Sequence, residues 1–283
     1  MLFSILVSGF STGWQATCYL SIKLHSKDKF LLEAIQLYFG GIGSIKKGTN
    51  DSVIYNIVSI KEIDVIIAHF DKYPLLTKKK VDYYLFKRGV KIIQSGRHRS
   101  LEGIEEIVKI RAKLNWGLTE KLIASFPKIA ALESVKVRPL IEETYDFNPY
   151  WVAGFVSAEG NFFVDIITSS TMKSGYQVIL VTKITQHVKD EQLLKNLVTY
   201  LKCGIYYKRP KENAGDFLCK SLSENLNIVL PFFQKYPILG TKSLDFQDWS
   251  LIAHLIKDRA HLTTEGLNEI REIKSRMNTK RIL

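Results

Sequence analysis

One pattern of sequence occurs twice in the chain. Residues 69–115 read HFDKYPLLTKKKVDYYLFKRGVKIIQSGRHRSLEGIEEIVKIRAKLN, and residues 232–278 read FFQKYPILGTKSLDFQDWSLIAHLIKDRAHLTTEGLNEIREIKSRMN. A constant offset of 163 pairs Lys79 with Lys242 and Asp82 with Asp245. Two copies in one register, rather than many short ones, predict two similar halves joined by a linker.

The repeat continues upstream, where residues 19–28 align with residues 181–190 at an offset of 162. Alternating polarity predicts strands, and apolar residues at i, i+3 and i+4 predict helices. Each half therefore runs from a strand into a helix (26–39; 188–202) and then through two strands at a Gly turn (43–60; 204–222). Three predicted helices follow in each half, at 61–72, 77–95 and 101–114, and at 223–235, 240–257 and 263–277. Ser100 and Thr263 suit helix starts.

This order of elements predicts an α+β fold with two β-hairpins in each half and helices on one side of the sheet. In the first half Leu20, Ile22 and Leu24 share one strand face, while Ser21 and Lys23 share the other. In the second half we expect Ile184 to face inward, with Lys183 and Thr185 facing outward. We predict domains at 1–115 and 151–283, with a Pro-containing linker at 116–150.

Composition narrows the class of partner. Hydrophobic residues make up 46% and charged residues 24%, as in a globular protein, and the net charge is +12. A basic balance favours a polyanionic partner, because binding phosphates releases counterions. Three widely spaced cysteines without a CxxC pair argue against a disulfide framework or a zinc site. No apolar run is long enough to span a membrane, so we expect no membrane partner.

The second half opens on the segment WVAGFVSAEGNFF, residues 151–163. The small residues Ala153, Gly154 and Ala158 favour close approach of a second helix backbone. Gly160 after the last helical residue favours a left-handed cap. Glu159 then lies at a helix C-terminus, where the helix dipole disfavours a carboxylate unless a cation binds there.

This segment resembles the LAGLIDADG motif of homing endonucleases. With the KYP, Lys and HLTTEGL elements that follow in order, the resemblance extends from residue 19 to residue 280. It implies two pseudo-symmetric αββαββα-like halves, with the motif helices side by side and the helices packed behind the sheets. The two antiparallel sheets would form a DNA-binding saddle. It also implies a metal-dependent DNA endonuclease, a hydrolase of phosphodiester bonds.

The resemblance assigns roles to individual residues. Glu159 would be a ligand of Mg²⁺ or another divalent cation, Gln186 would position a water, and Lys79 and Lys242 would stabilise charge on the phosphate. The predicted DNA contacts are Ser21, Lys23, Lys46, Lys47, Lys183, Thr185, Lys208 and Arg209.

The first half departs from the family pattern. If Gly9 aligns with Gly154, residues 1–10 match the start of the motif, and 17 residues equivalent to 156–172 are then missing. Those residues hold the acid, its glycine and the first strand. On this alignment the first half lacks a catalytic acid and a strand, and Leu24 stands where the second half has Gln186. We expect such a chain to nick one DNA strand or to leave DNA uncut.

Three functions fit these features. The first, which we favour, is site-specific cleavage at an intron-insertion site (intron homing), by a monomer acting on a long asymmetric duplex. Composition and family resemblance place such a protein in the mitochondrial matrix, encoded by a fungal organellar intron. The alternatives are a maturase that binds intron RNA and a DNA-binding protein that does not cleave.

Overall fold

The computed structural model describes residues 1–9, 12–114, 117–133, 137–139, 145–172 and 174–281. The chain divides into two compact units, residues 1–144 and residues 145–283. Each unit has its own four-stranded antiparallel sheet, in which the second strand lies between the first and the fourth strands. The predicted α+β fold is confirmed.

The first unit has the sheet order β1-β2-β4-β3. Its strands are β1 (Leu2–Val7), β2 (Trp14–His25), β3 (Ser44–Lys47) and β4 (Ser52–Ile57). Its helices are α1 (Lys29–Tyr38), α2 (Ile60–Lys72), α3 (Lys79–Gln94), α4 (Leu101–Lys113), α5 (Glu120–Ser125) and α6 (Pro127–Ala130).

The second unit begins with a helix and has the sheet order β5-β6-β8-β7. Its strands are β5 (Gly160–Thr168), β6 (Tyr176–His187), β7 (Ile205–Lys208) and β8 (Ala214–Cys219). Its helices are α7 (Pro149–Glu159), α8 (Glu191–Leu201), α9 (Leu222–Glu224), α10 (Leu230–Lys235), α11 (Lys242–Lys257) and α12 (Thr264–Ser275), with a π-helical turn at Asn225–Val229 between α9 and α10.

Buried and more exposed side chains alternate along the strands, which gives each sheet a core face and an open face. In β2, Ala16, Cys18 and Leu20 are buried, whereas Ser21 is half-buried and Lys23 is exposed. In β6, Ile184 is 1% exposed, and its neighbours Lys183 and Thr185 are half-buried on the other face. Because successive side chains of a strand point to opposite faces, one face of each sheet packs on helices and the other stays open. The predicted faces are confirmed.

The predicted helix starts at Ser100 and Thr263 are confirmed as equivalent N-caps. The Gly103 amide donates to the Ser100 hydroxyl, and the Gly266 amide donates to the Thr263 hydroxyl, both at 3.1 Å. Glycine is required at the third helical residue, since a Cβ at Gly103 would lie 1.9 Å from the Arg97 carbonyl oxygen. The same cap in both units supports the internal repeat.

The residues that follow α4 add to the first unit's core. Leu122, Phe126 and Ile129, from α5 and α6, are buried in the core that contains β1, β2 and α4. The ring centroids of Trp14 and Phe126 lie 5.1 Å apart. The segment 116–150, predicted as a linker, thus includes two short helices packed against the first unit, and α7 begins at its end.

The predicted alignment of residues 1–10 with the motif helix is wrong, because residues 2–7 form a strand. Phe3 and Ile5 are buried and Leu6 is exposed, as in a strand with one face on the core. The β1–β2 register pairs Leu2 with Tyr19, as the β5–β6 register pairs Phe163 with Val181. Phe10, part of the predicted match, lies outside the described residues.

No strand is therefore lost from the first unit. Tyr19 and Val181 are equivalent in the repeat, so Leu2 corresponds to Phe163 and Met1 corresponds to Phe162. The hairpin turns match as well, since Ser8 N–H donates to the Gly13 carbonyl (3.0 Å) and Ser169 N–H donates to the Gly175 carbonyl (2.9 Å). The two units therefore align without an internal deletion of 17 residues.

An ion-pair cluster ties the end of the second unit to α11. Asp248 is 5% exposed and accepts hydrogen bonds from Arg276 (2.8 Å) and Arg281 (2.7 Å), while Arg281 also donates to Asp245 at 2.9 Å. Burial alone would raise the pKa of Asp248, but the two arginines outweigh it and hold the pKa below its ordinary value. In the first unit the equivalent of Asp245, Asp82, pairs with Arg138 at 2.7 Å.

We expect Asp248→Asn to lower the free energy of unfolding by about 2 kcal/mol, because the buried Arg281 keeps only Asp245 as a charged partner, while the half-exposed Arg276 is screened by water. Chemical denaturation of both proteins measures the difference. Asp258→Asn is the matched control, since Asp258 is exposed at the end of the same helix. Equal stability of the two variants would show that the cluster contributes nothing.

Two further facts bear on the class of protein. No helix in the described part of the chain is long and apolar enough to cross a membrane. Cys18, Cys203 and Cys219 are buried thiols, and none of them forms a disulfide.

Candidate active site and nucleic-acid interface

The motif segment folds as α7 followed directly by β5. Asn148 caps the helix start by accepting from the Tyr150 amide at 2.9 Å, and Pro149 occupies the first turn, where a missing N–H costs nothing. Glu159 is the last residue of the helix and is exposed. The helix therefore presents a carboxylate at its C-terminal end.

The predicted left-handed cap at Gly160 is wrong. Gly160 has φ −75° and ψ 160°, an extended conformation that any residue adopts. Glycine is needed there for space, because a Cβ would lie 2.5 Å from the Val156 Cγ1 and 2.6 Å from the Val156 carbonyl oxygen. The chain thus turns from helix to strand against the last helical turn.

The loop before α11 docks on the end of α7. Lys242 donates from Nζ to the carbonyl oxygen of Ala158 at 3.0 Å and lies 3.4 Å from that of Val156. The Leu239 amide donates to the Ser157 hydroxyl at 2.9 Å. An ammonium group at a helix C-terminus offsets the partial negative charge of the terminal carbonyls. Two predicted catalytic residues, Lys242 and Glu159, are thereby brought to one helix end, and Ser157 is a docking residue that sequence analysis missed.

Gln186 lies near the same place. The β5–β6 register pairs Gly160 with Ile184, and Gln186 follows two residues later on the same sheet face. Two residues of strand span about 7 Å, so Gln186 extends β6 past the junction of α7 and β5. Its side chain is half-buried. The position suits a residue that acts at the end of α7.

Lys79 occupies the equivalent of Lys242, at the first residue of α3. Its side chain is exposed, and its backbone amide donates to the Thr77 hydroxyl at 3.2 Å. The described residues of the first unit contain no counterpart of α7 on which Lys79 could dock. The two lysines are equivalent in sequence and position but differ in their surroundings.

Of the small residues in α7, Ala153 is buried, whereas Gly154 and Ala158 are exposed. Among the described residues, no atom lies within 4 Å of a Cβ built at Gly154, outside its own helix backbone. The described residues of the first unit include no counterpart of α7, so the close helix contact predicted at Gly154 stays a prediction.

The end of α7 offers oxygen donors to a divalent cation. Within the described residues, Glu159 makes no hydrogen bond or ion pair, and the buried Oδ1 of Asn161 has no partner. No cluster of three or more His, Cys, Asp or Glu residues occurs in the same part of the chain. Mg²⁺ commonly binds one or two carboxylates and takes its remaining ligands from water and substrate phosphates. This small donor set fits such an ion.

The open face of the first sheet carries three of the predicted DNA contacts. Ser21 and Lys23 of β2 pair with Asn56 and Ile54 of β4, and Lys46 of β3 pairs with Ile54. Paired residues point to the same face, so these side chains lie together. Lys47 pairs with the buried Val53, and its side chain leaves the sheet on the other face.

The second sheet places its predicted contacts on two faces. Lys183 and Thr185 lie on the open face, and the Lys183 ammonium lies 5.2 Å from the centre of the Phe163 ring. Lys208 pairs with Gly215, on the face that packs on helices, and its charge acts on Glu191 at the start of α8. Lys208 therefore points away from the open face.

Arg209 follows β7 and returns to the open face. Its Nε donates to Asp216 Oδ2 at 2.8 Å, its Nη2 donates to Asp216 Oδ1 at 2.9 Å and to the Thr185 hydroxyl at 3.0 Å, and its Nη1 donates to Glu212 at 3.1 Å. The Thr185 hydroxyl donates to Asp216 Oδ1 at 2.6 Å. Two predicted DNA contacts, Thr185 and Arg209, are thus joined by a carboxylate that sequence analysis did not single out.

The same arrangement of repeats, motif helix and sheets occurs in known proteins. Residues 2–90 and 152–253 match the family described as LAGLIDADG endonuclease. The chain belongs to the LAGLIDADG endonuclease family. One matched region begins at β1 and the other begins within α7. The family membership predicted from the motif and the repeat is confirmed.

Curated relatives carry names that concern introns. The chain is 41% identical over 260 residues to "Probable intron-encoded endonuclease 3" of Neurospora crassa, covering 91% of this chain and 48% of the relative. It is 36% identical over 274 residues to "Probable intron-encoded endonuclease 2" of the same organism, covering 94% of this chain and 59% of the relative. The chain thus spans about half the length of the curated relatives it matches.

Solved structures are similar over nearly all of the chain. The LAGLIDADG homing endonuclease I-SmaMI bound to cleaved DNA is 38% identical, with a TM-score of 0.94, over 99% of this chain and 93% of that one. I-SmaMI has also been solved bound to an uncleaved DNA target in the presence of calcium ions, with a TM-score of 0.93 and 38% identity over 98% of this chain and 94% of that one. I-LtrWI bound to target DNA is 36% identical, with a TM-score of 0.93, over 99% of this chain and 94% of that one.

Proposed function

We propose that the chain is a site-specific DNA endonuclease of the homing type that hydrolyses phosphodiester bonds at an intron-insertion site. The observation that carries this proposal is the docking of Lys242 on the end of α7, which brings an ammonium group to the helix end where the exposed Glu159 is the last residue. A cation and a carboxylate at the same helix end suit a reaction in which a phosphate gains negative charge. The LAGLIDADG relatives that have been solved with DNA support the same reaction.

A divalent cation, Mg²⁺ in the cell, completes the site. Glu159 and the unpartnered Asn161 Oδ1 are the residues that would hold it. When bound, such an ion lowers the pKa of a coordinated water and neutralises charge on the phosphate. In this site Lys242 stabilises charge on the phosphate oxygens, and Gln186 orients a water by hydrogen bonding. The calcium-containing I-SmaMI structure supports a requirement for a divalent ion.

The DNA partner is a long duplex without two-fold symmetry, bound by one copy of the chain. The two open faces differ at equivalent positions, since the first sheet has Lys23 and Ile54 where the second has Thr185 and Asp216. Different side chains on the two sheets favour different half-sites. The intron-encoded relatives support an origin in a fungal mitochondrial intron and a site of action in the mitochondrial matrix.

No specific observation on the described residues favours either of the two alternative functions, the RNA maturase and the non-cleaving DNA-binding protein. The relatives described above are named as endonucleases, and no feature of the described residues favours an RNA maturase. A DNA-binding protein without cleavage would have no use for an unpaired carboxylate at the end of α7, where the helix dipole disfavours it.

We expect Lys242→Met to slow cleavage by about 100-fold, the loss that follows removal of one charge-stabilising donor. Loss of the bond to Ala158 should also cost about 1 kcal/mol of stability. Single-turnover cleavage and thermal unfolding separate the two effects.

Lys257→Met is the matched control, since Lys257 ends the same helix and is exposed. A Lys242→Met protein that cuts at the wild-type rate would refute the assigned role of Lys242.

A further inference from the structure

Four polar side chains of the second unit meet beside the β7–β8 hairpin: Thr185, Arg209, Glu212 and Asp216. We call them the Arg209 cluster. Thr185 and Asp216 are cross-strand partners on the open face. The Arg209 amide donates to the Ala214 carbonyl at 3.1 Å, which continues the β7–β8 pairing by one residue and keeps Arg209 on that face. Asp216 is 5% exposed, whereas the Arg209 side chain is 27% exposed.

Asp216 occupies one edge of the Arg209 guanidinium. Its two oxygens accept from Nε and Nη2 at 2.8 and 2.9 Å, a bidentate arrangement that fixes the plane of the group. Burial alone would raise the pKa of Asp216, but the bonds from Arg209 and Thr185 outweigh it and keep the pKa low. Asp216 therefore stays ionised, and Arg209 is held in one orientation.

The other edge, formed by Nη1 and Nη2, keeps donors for a ligand. Nη2 lies 2.9 Å from Asp216 Oδ1 and 3.0 Å from Thr185 Oγ1, and these two oxygens are 2.6 Å apart. The angle between them at Nη2 is therefore about 52°, less than half of the angle of about 120° between the two N–H bonds of a planar guanidinium nitrogen. The bidentate pair directs one Nη2–H bond at Asp216 Oδ1, and Thr185 Oγ1 lies nearer to that bond than to the second one, which is left for a ligand.

Glu212 is the weakest member of the Arg209 cluster. It accepts from Nη1 at 3.1 Å, but its side chain is 58% exposed. A hydrogen-bonded pair at such exposure is screened by water and contributes little. DNA can thus displace Glu212 and gain an Nη1–H donor next to the free Nη2–H donor.

The charge of the cluster favours a base over a phosphate. Asp216 and Glu212 offset the charge of Arg209 and of Lys183, which also acts on Asp216, so the cluster has no net positive charge to attract a phosphate. The O6 and N7 atoms of guanine are neutral acceptors, and their spacing in the major groove matches two parallel N–H donors of arginine. The first unit has no equivalent, since its residues at the positions of Thr185 and Asp216 are Lys23 and Ile54.

We propose that Asp216 is a positioning residue that holds Arg209 so that the Nη1–Nη2 edge reads one guanine in the half-site bound by the second unit. This inference rests on the proposed function, because it assumes that the open face contacts duplex DNA. Glu212 occupies that edge in the free protein and leaves it on binding.

The test is selection of bound duplexes from a randomised DNA library, followed by sequencing. The wild-type protein should enrich one guanine that Arg209→Ala no longer enriches. Asp216→Asn and Arg209→Lys should each reduce that preference about 10-fold or more while keeping the preferences at the other positions. Arg209→Lys keeps the charge but not the planar fork, so it tests the geometry even if Asp216→Asn folds poorly.

Two controls separate positioning from general damage. Lys257→Ala should retain every preference, and thermal unfolding of Arg209→Lys should match the wild type within a few degrees. Retention of the guanine preference by both Asp216→Asn and Arg209→Lys would overturn the inference. Selection of no preferred sequence by the wild-type protein would overturn the proposed function itself.

Discussion

Glu159→Gln should abolish DNA cleavage, lowering the single-turnover rate by more than about 100-fold, while the dissociation constant for the uncleaved duplex changes by less than about threefold. The substitution keeps the size of the side chain and removes the charge that a hard divalent cation requires. Glu159 is exposed at the end of α7 and makes no bond within the described residues, so stability should not fall. Cleavage is measured with Mg²⁺, and binding is measured with Ca²⁺.

The matched control is Glu269→Gln, which removes an exposed carboxylate from α12. It should cut at the wild-type rate. If Glu159→Gln cuts as fast as Glu269→Gln, the acid of the site lies elsewhere. Equal loss of binding and cleavage in Glu159→Gln would assign Glu159 to DNA affinity instead.

Affinity for duplex DNA should fall by about 10³-fold between 50 and 200 mM monovalent salt, the loss expected of a protein that makes about six phosphate contacts. The net charge of +12 and the lysines of the open faces predict this dependence. Replacing a lysine that contacts phosphate should reduce the slope of log K against log salt by about 0.9. Lys23→Met and Lys46→Met test this on the first sheet.

Lys208→Met is the informative comparison, because its side chain leaves the sheet on the helix side near Glu191. Its slope should equal that of the wild type. An equal reduction in slope for Lys208→Met and Lys23→Met would show that DNA does not distinguish the two sheet faces. An affinity independent of salt would contradict binding through phosphates altogether.

Much of the fold could be predicted from the sequence because the chain repeats itself. The match of Lys79 with Lys242 and of Asp82 with Asp245 carries over to equivalent helices, and Ser100 and Thr263 cap equivalent helix starts. The alternation in β2 and β6 predicts which side chains face the core. Each of these features depends on local spacing, which the sequence contains directly.

The misplaced elements depend on contacts between distant residues. The run from Leu2 to Val7 is short and apolar, and periodicity alone cannot separate a helix from a strand of that length. Its strand character comes from pairing with β2 and from packing of Phe3 against Gly89, where a Cβ would lie 2.2 Å from the Phe3 ring. The sequence likewise predicts a backbone role for Gly160, whereas it is steric contact with Val156 that requires glycine at this position.

The candidate site likewise contains residues that the sequence could predict and contacts that it could not. Glu159 and Lys242 could be singled out from the motif and the repeat, but the docking of Lys242 on Ala158 is a contact across 84 residues of sequence. The sheet faces on which Lys47 and Lys208 lie follow from the strand-pairing register, which cannot be derived from the sequence alone. Asp216 was missed because a buried acid in a strand has no sequence signal until its partner, Arg209, is known.

The central claim is that Glu159 supplies the carboxylate for phosphodiester hydrolysis, and one plasmid assay tests it most directly. The substrate is a supercoiled plasmid that carries a duplex selected by the protein, incubated with Mg²⁺. Among the described residues one such acid, Glu159, ends a motif helix, so the protein should give nicked circles, whereas Glu159→Gln should leave the plasmid supercoiled. Because Met1 corresponds to Phe162, a variant with residues 149–161 copied ahead of Met1 gains a second acid and should give linear product. Linear product from the unmodified chain in one step, or nicking by Glu159→Gln at the wild-type rate, would contradict the account.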